Sequence, residues 1–227
     1  MNEFPIILHI ESSSKNCSIA ISKGTELLCS CEESTDNFAH NEKLHTFIEY
    51  TLEGANLKIS DLNAVSISKG PGSYTGLRIG VAAAKGLCFA LDIPLISVNT
   101  LQILIDHQKY KSYDYFIPVI DARRMEIYTI IFDSKGFQLT NTFSHILNED
   151  SFKDYINKNI CFVGDAVLKV KQNFINHNYL TEHLTFIEKL PSSKNMIDLV
   201  YRKFLNQEFE DLAYFEPFYL KEFVANK

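Results

Sequence analysis

The stretch from Leu62 to Val98 runs strand, glycine-rich turn, helix, strand, and few folds admit that order. "LNAVSIS" (Leu62–Ser68) is a short apolar run, "KGPGSYTG" turns the chain, the residues from about Thr75 to Leu91 carry apolar side chains at helical spacing, and "IPLISV" is again strand-like. Two strands joined through a helix lie parallel in one sheet, because a parallel return is too long for a hairpin. "TLQILIDHQKY" then starts another helix, so this part of the chain is α/β.

Ahead of it, "FPIILHIESSSKNCSIAISKGTELLCSCEES" predicts an antiparallel meander with strands over Ile6–Glu11, Cys17–Ser22 and Glu26–Glu32. From Asn41 to Glu53, the residues Leu44, Phe47, Ile48 and Leu52 fall on one helical face, and Gly54 stands just past the end. A second lobe starts near Tyr113. There "YFIPVIDA", "MEIYTIIF", "FQLTNTF" and "NICFVGDA" are strand-like, while "EDSFKDYIN" and "AVLKVKQNFI" are helical. "PSSKNMIDLVYRKFLNQ" closes the body as a helix before the tail "AYFEPFYLKEF". The expected division is residues 1–110 as a first lobe and residues 111–227 as a smaller second lobe, whose C-terminal segment is able to pack back on the first.

Charge narrows the function. The chain carries 22 basic and 28 acidic residues, a net −6, and no basic run exceeds two residues. Gripping a phosphate backbone takes a basic face, so strong direct binding of nucleic acid is not expected. The five cysteines form no CxxC pair and are odd in number, which fits reduced thiols in a cytoplasmic protein. The apolar run after Glu3 is too short for a signal peptide or a membrane span.

Several constellations could carry chemistry. Gly70, Gly72 and Gly76 flank a helix start, where free N–H groups attract anions, yet "GPGSYTG" fits neither the Walker nor the dinucleotide spacing. The loop reads either as an anion site or as a structural strand-to-helix turn. Gly76, Gly80, Ala83, Ala84 and Cys88 form a small-residue stripe flanked by Leu77 and Val81, suited to close packing on the chain's own sheet or on a partner helix. Glu11 with Ser12, Ser13 and Ser14 offers hard oxygen ligands, or merely a turn. Asp121 ends one strand and Gly164 with Asp165 ends another, where a carboxylate can meet a ligand or pair locally with an arginine such as Arg123. None of the seven histidines makes an HExxH pair, and no GxSxG elbow occurs, so neither a zinc site nor a serine nucleophile is expected.

"IESSSKNCSIAI", "KGPGSYTGLRIGVAAAKGL", "IPLISVNTL", "IDARRMEIY" and "EPFYLK" together resemble the TsaB family, also called YeaZ, over Ile6 to Lys221. The resemblance implies the two-lobed α/β fold shared by actin, sugar kinases and Hsp70, with the second lobe reduced. It implies a role in forming N6-threonylcarbamoyladenosine at position 37 of tRNAs that read codons beginning with A. The family member would be a non-catalytic subunit of the transferase TsaD, joined by the ATPase TsaE, and a homodimer where TsaD is absent. It would meet tRNA only indirectly and no membrane. Its interface would be a helical bundle built, in this chain, from Leu44, Phe47, Ile48, Gly76, Leu77, Gly80, Val81, Ala84 and Cys88. No cofactor is certain; ATP or ADP would bind weakly, within the complex, near Glu11, Ser12, Gly70, Gly72, Asp121 and Gly164, with no catalytic residue and no metal.

Two departures bear on catalysis. Where the catalytic paralogue has a segment like VNHLEAH with two metal-binding histidines, this chain reads "VNTLQIL", so Thr100 and Leu104 stand in their places. The family's first hairpin often reads Asp-Thr where this chain has Glu11 and Ser12, and the added methylene moves the carboxylate by more than a bond length. The other reading is an active small-molecule kinase or metal-dependent, glycopeptidase-like hydrolase of the same fold, which would need a complete phosphate or metal site.

Overall fold

The computed structural model describes residues 4–34, 40–105, 112–179 and 182–221. The chain forms two units, one of Met1–Ile103 with Pro191–Lys227 and one of Leu104–Leu190.

In the first unit, β1 (Ile6–Glu11), β2 (Asn16–Lys23) and β3 (Glu26–Ser34) make the expected meander. After α1 (His40–Gly54), β4 (Ala64–Gly70) lies parallel to β1, and α2 (Tyr74–Leu91) crosses over to β5 (Leu95–Asn99), parallel to β4. The sheet order is β3-β2-β1-β4-β5. β1 is buried on both faces, which explains its nearly unbroken apolar run. Leu8 and Ile10 pack in one core with α1 and α2, whereas Ile7 packs on the opposite side. His9 interrupts the run and is fully buried. Its ring meets Ser66 Oγ through Nδ1 and Ser22 Oγ through Nε2, both at 2.8 Å, so both nitrogens are satisfied. α3 (Thr100–Ile103) is only four residues long, and residues 106–110 of the longer predicted helix lie outside the described residues.

In the second unit, β6 (Tyr115–Asp121), β7 (Glu126–Thr129), β8 (Phe132–Asp133), β9 (Phe143–Ile146), β10 (Ile160–Gly164), α4 (Val167–Asn176) and β11 (Leu184–Glu188) follow in turn. Their order is β11-β10-β6-β7-β9, with β8 also on β6. Phe162 anchors the core, with ring centroids 5.2 Å from Phe152 and 5.7 Å from Phe174. The predicted helix "EDSFKDYIN" is instead a run of turns. Ser151 Oγ accepts the N–H of Asn148, and Phe152 takes a left-handed φ of 59°, so the helical ladder cannot start there. "MEIYTIIF" divides into β7 and β8, and "FQLTNTF" becomes a strand only from Phe143.

The predicted division at residue 110 needs correction. That boundary lies outside the described residues, and the chain re-enters the first unit at Pro191, running through a short 3-10 turn (Ser193–Met196) into α5 (Ile197–Leu205). Met196 and Val200 cover Ile7, Ala64, Ile96 and Val98, which would otherwise leave that sheet face bare. A polar hub fixes the return: Glu32 accepts from Lys194 Nζ at 2.6 Å, Ser192 Oγ at 2.6 Å and Ser18 Oγ at 2.9 Å, while Asn16 Nδ2 donates to the Pro191 carbonyl. Burial pushes the Glu32 carboxyl up, but these hydrogen bonds outweigh it and bring the group down to about 2. The tail then lies along the outer strand, with Glu210 N donating to Leu95 O at 2.9 Å. Among the described residues no helix is long and apolar enough to cross a membrane.

Candidate functional site

The glycine loop is filled by the chain itself. Ser13, in the turn after β1, donates its N–H and hydroxyl to Glu11 Oε1 at 2.6 and 2.5 Å, which aims its carbonyl at the loop. That carbonyl accepts the N–H of Ser73 at 2.6 Å. Ser73 Oγ in turn caps α2 by accepting from Gly76 N, and Ser12 Oγ donates to Gly76 O at 2.9 Å. A Cβ at Gly72 would fall on the Ser13 carbonyl and lie 2.9 Å from Ser13 Cβ. Gly70 has a φ of +107°, and a Cβ there would lie 2.9 Å from the Phe218 carbonyl. The glycines that the sequence offered to a phosphate thus let two backbone segments approach.

The predicted interface residues also turn inward. Leu44, Phe47, Ile48, Val81, Ala84 and Cys88 belong to the main core under α1 and α2, and Gly76, Leu77 and Gly80 are buried with them. A Cβ on Gly80 would overlap Ser12 Oγ and lie 3.0 Å from Ile67 Cδ1. As predicted partner contacts these nine positions are corrected to intrachain packing, the other reading that the stripe allowed.

The outward side of α2 is a second small-residue stripe. Arg78, Ala82, Gly86, Phe89 and Ala90 are exposed, Phe89 at 83%, and a Cβ on Gly86 would meet nothing within 4 Å. On α1, Tyr50 is 57% exposed. The signal for this face was in the sequence: Arg78 must reach water, and Ala82 and Gly86 follow it at four-residue steps. The tail braces the same helix. Lys85 Nζ donates to the carbonyls of Phe215 at 2.9 Å and Ala213 at 3.3 Å, and the Arg78 guanidinium lies 4.1 Å over the Tyr74 ring while donating to Tyr219 Oη.

Asp121 and Gly164 belong to the second unit, whereas Glu11, Ser12, Gly70 and Gly72 belong to the first. Asp121 Oδ1 pairs with Lys169 Nζ at 2.9 Å and accepts the backbone N–H of Arg123, so the expected arginine contributes its amide rather than its guanidinium. Gly164 has a φ of +140°, and a side chain there would strike the Val119 carbonyl. Asp165, next along, accepts the Asp121 N–H at 2.8 Å, and burial raises its carboxyl. Glu11 is fully buried and is pushed up to about 6 by burial, against the pull of its serine hydrogen bonds. Thr100 is also fully buried. Among the described residues no three His, Cys, Asp or Glu side chains gather as a metal cage.

The family model described as TsaD, tRNA N6-adenosine threonylcarbamoyltransferase, matches residues 35–227. The tRNA threonylcarbamoyladenosine biosynthesis protein TsaB of Buchnera aphidicola subsp. Schizaphis graminum is 31% identical over 74% of this chain and 81% of its own. TsaB of Buchnera aphidicola subsp. Acyrthosiphon pisum is 38% identical, and there the match spans 54% of this chain and about half (55%) of the relative. YeaZ from Pseudomonas aeruginosa superposes with a TM-score of 0.76 at 21% identity, covering 95% of this chain and all of that one, so the chain has the YeaZ fold expected from the sequence. With 31% identity to a relative of which it covers 81%, the chain belongs to the TsaB (YeaZ) family of tRNA threonylcarbamoyladenosine biosynthesis proteins.

Proposed function

We propose that this protein is the non-catalytic subunit that binds and activates TsaD in forming N6-threonylcarbamoyladenosine at position 37 of tRNAs reading codons that begin with A. The observation that carries the reading is the exposed face of α2, where Phe89 projects beside Ala82, Gly86 and Ala90 and the helix backbone is open to close approach. A partner helix seated there would bury Phe89 and pass over the small residues. Tyr50 on α1 adds an aromatic anchor of the kind that dominates binding energy.

The same face serves a homodimer where TsaD is absent, because one exposed apolar patch is self-complementary about a two-fold axis. TsaE joins the assembled pair, tRNA is met through the partner, and the complex works in the cytoplasm. Adenine nucleotide binds weakly and only in the assembly, since the N–H groups of Ser73 and Gly76 at the helix start already have partners at Ser13 and Ser73. Support for the non-catalytic role comes from Thr100 and Leu104, neither of which replaces an imidazole ligand.

The test is product formation on tRNA with the cognate TsaD and TsaE, with and without this protein, beside a Gly86→Arg variant. Wild-type dependence together with loss in Gly86→Arg is the expected result. Equal product from TsaD and TsaE alone, or from the variant, would overturn the reading.

A further inference from the structure

The tail builds a hollow beside α2. Lys69, near the end of β4, lines it together with Glu210, Tyr214, Glu216, Phe218 and Tyr219 of the tail, and its volume is about 510 Å³. The walls are fixed to the first unit: Glu210 N donates to Leu95 O at 2.9 Å, Phe218 N donates to Lys69 O at 2.7 Å, and between them Phe215 is buried in the main core. The rim is left open. Tyr214 is 85% exposed and Phe218 is 37% exposed.

This hollow is continuous with the exposed face of α2. Lys85 Nζ reaches the carbonyls of Ala213 and Phe215, which stand on either side of Tyr214 in the chain, and Phe89 lies one helical turn beyond Lys85. Tyr214 and Phe89 therefore flank the same lysine. Charge then says what the hollow suits. Two carboxylates, Glu210 and Glu216, stand against the single ammonium of Lys69, and the neighbouring cations are already engaged, Lys85 by the tail carbonyls and Arg78 by Tyr74 and Tyr219. Glu210 Oε1 accepts the Ser97 hydroxyl, while Glu216 is exposed and makes no ion pair among the described residues.

A free small molecule needs a cleft that buries most of its surface, so a hollow with so open a rim suits a side chain carried in by a protein. Aromatic faces beside carboxylates select a cation, and a guanidinium above an ammonium, because its plane stacks on a ring while its edge pairs with an acid. The tail already holds one arginine in this manner: Arg78 lies 4.1 Å over the Tyr74 ring and donates to Tyr219 Oη, with the Glu216 charge acting on it. We propose that the hollow receives an arginine side chain of the docked TsaD, stacked on Tyr214 and paired with Glu216. The inference rests on the docking reading and extends that surface from α2 to the tail. A second copy of this chain is the poorer occupant, since it brings a net −6 of its own to an acidic rim.

The test is isothermal titration of TsaD into the wild type, Gly86→Arg, Tyr214→Ala, Glu216→Gln and Glu216→Lys at low and high salt. Tyr214 and Glu216 are exposed, so their variants should keep the wild-type Tm to within about 2 °C. Tyr214→Ala should weaken binding about tenfold, and Glu216→Lys by about tenfold or more and further than Glu216→Gln. Added salt should weaken the wild type more than Glu216→Gln, because only the wild type has the ion pair to screen. Binding that Gly86→Arg abolishes but the Tyr214 and Glu216 variants leave intact would overturn this inference and leave the docking reading standing; undiminished binding in all four would overturn both. A loss in Tyr214→Ala with none in Glu216→Lys would also overturn it, since an apolar occupant ignores the charge. So would variants that weaken self-association, followed by sedimentation equilibrium, while TsaD binding is unchanged, which would give the hollow to a second copy.

Discussion

The backbone N–H of Ser73 donates to the carbonyl of Ser13 at 2.6 Å, where a helix start would otherwise offer that N–H to an anion. The two residues lie on different elements, and Gly72 between the loop and the helix makes the approach possible, since any Cβ there would collide with Ser13. Gly72→Ala should therefore lower stability by about 1–3 kcal/mol, the usual cost of forcing an extra methyl into a packed site. Chemical denaturation checks this, with a reduced midpoint and an unchanged slope.

Gly80 and Gly86 separate folding from docking. Gly80→Arg should yield little folded protein, because its Cβ already overlaps Ser12 Oγ before the rest of the side chain is placed. Gly86→Arg should keep the wild-type Tm to within about 2 °C, as surface changes usually do, while failing to co-purify with TsaD. Both are read by melting curves and a pull-down on the same preparations.

Phe89→Ala should leave stability nearly unchanged, since 83% of the residue already faces water. Its effect should fall on association, weakening binding to TsaD about tenfold or more, as expected of a truncated aromatic anchor. Isothermal titration with purified TsaD measures it.

Glu32→Gln should lower stability by about 1–3 kcal/mol by loosening the hub that holds Pro191 to Lys194. The Glu32 carboxyl sits at about 2 in the folded chain against an ordinary 4.5, so its contribution is complete above about pH 4.5 and disappears as pH falls towards 2. Wild type should lose Tm across that interval faster than Glu32→Gln does.

His9 and Glu11 pull pH dependence in opposite directions. Burial holds the His9 ring down to about 3 from 6.5, so the unfolded chain binds a proton that the folded one refuses, and stability falls as pH drops below about 6.5. Burial holds Glu11 up at about 6 from 4.5, so the folded chain keeps a proton that the unfolded one releases, and stability rises as pH drops from about 6 to 4.5. In that interval the two slopes offset each other. Glu11→Gln removes one of them, and its stability should decline relative to wild type by about 1 kcal/mol in all between pH 6 and 4.5.

Strand and helix periods made most of the first unit legible, because each element there is long and has one strongly apolar side. The meander, α1, β4, α2 and β5 lie within a few residues of their predicted spans. Where elements are short the periods gave out: "EDSFKDYIN" has helical spacing but is overridden by the Asn148–Ser151 turn. The buried and exposed sides of α2 were misread for a related reason. Both of its sides carry small residues, so spacing alone could not say which one meets the sheet, and the charge of Arg78 was the cue that separates them. The partner of the glycine loop was hidden because backbone carbonyls such as that of Ser13 leave no trace in a residue pattern.

The return of the chain at Pro191 has a consequence for biosynthesis. The second unit is continuous in sequence, whereas the first is interrupted by it and is completed only by residues beyond position 190. On the ribosome the opening strands must wait, with Ile7 and Ala64 uncovered, until Met196 and Val200 emerge, and the segment made in between is free to fold first. Translation that stalls before the codon for Met196 would leave a nascent chain with its first sheet half clothed, a form for chaperones rather than for partners.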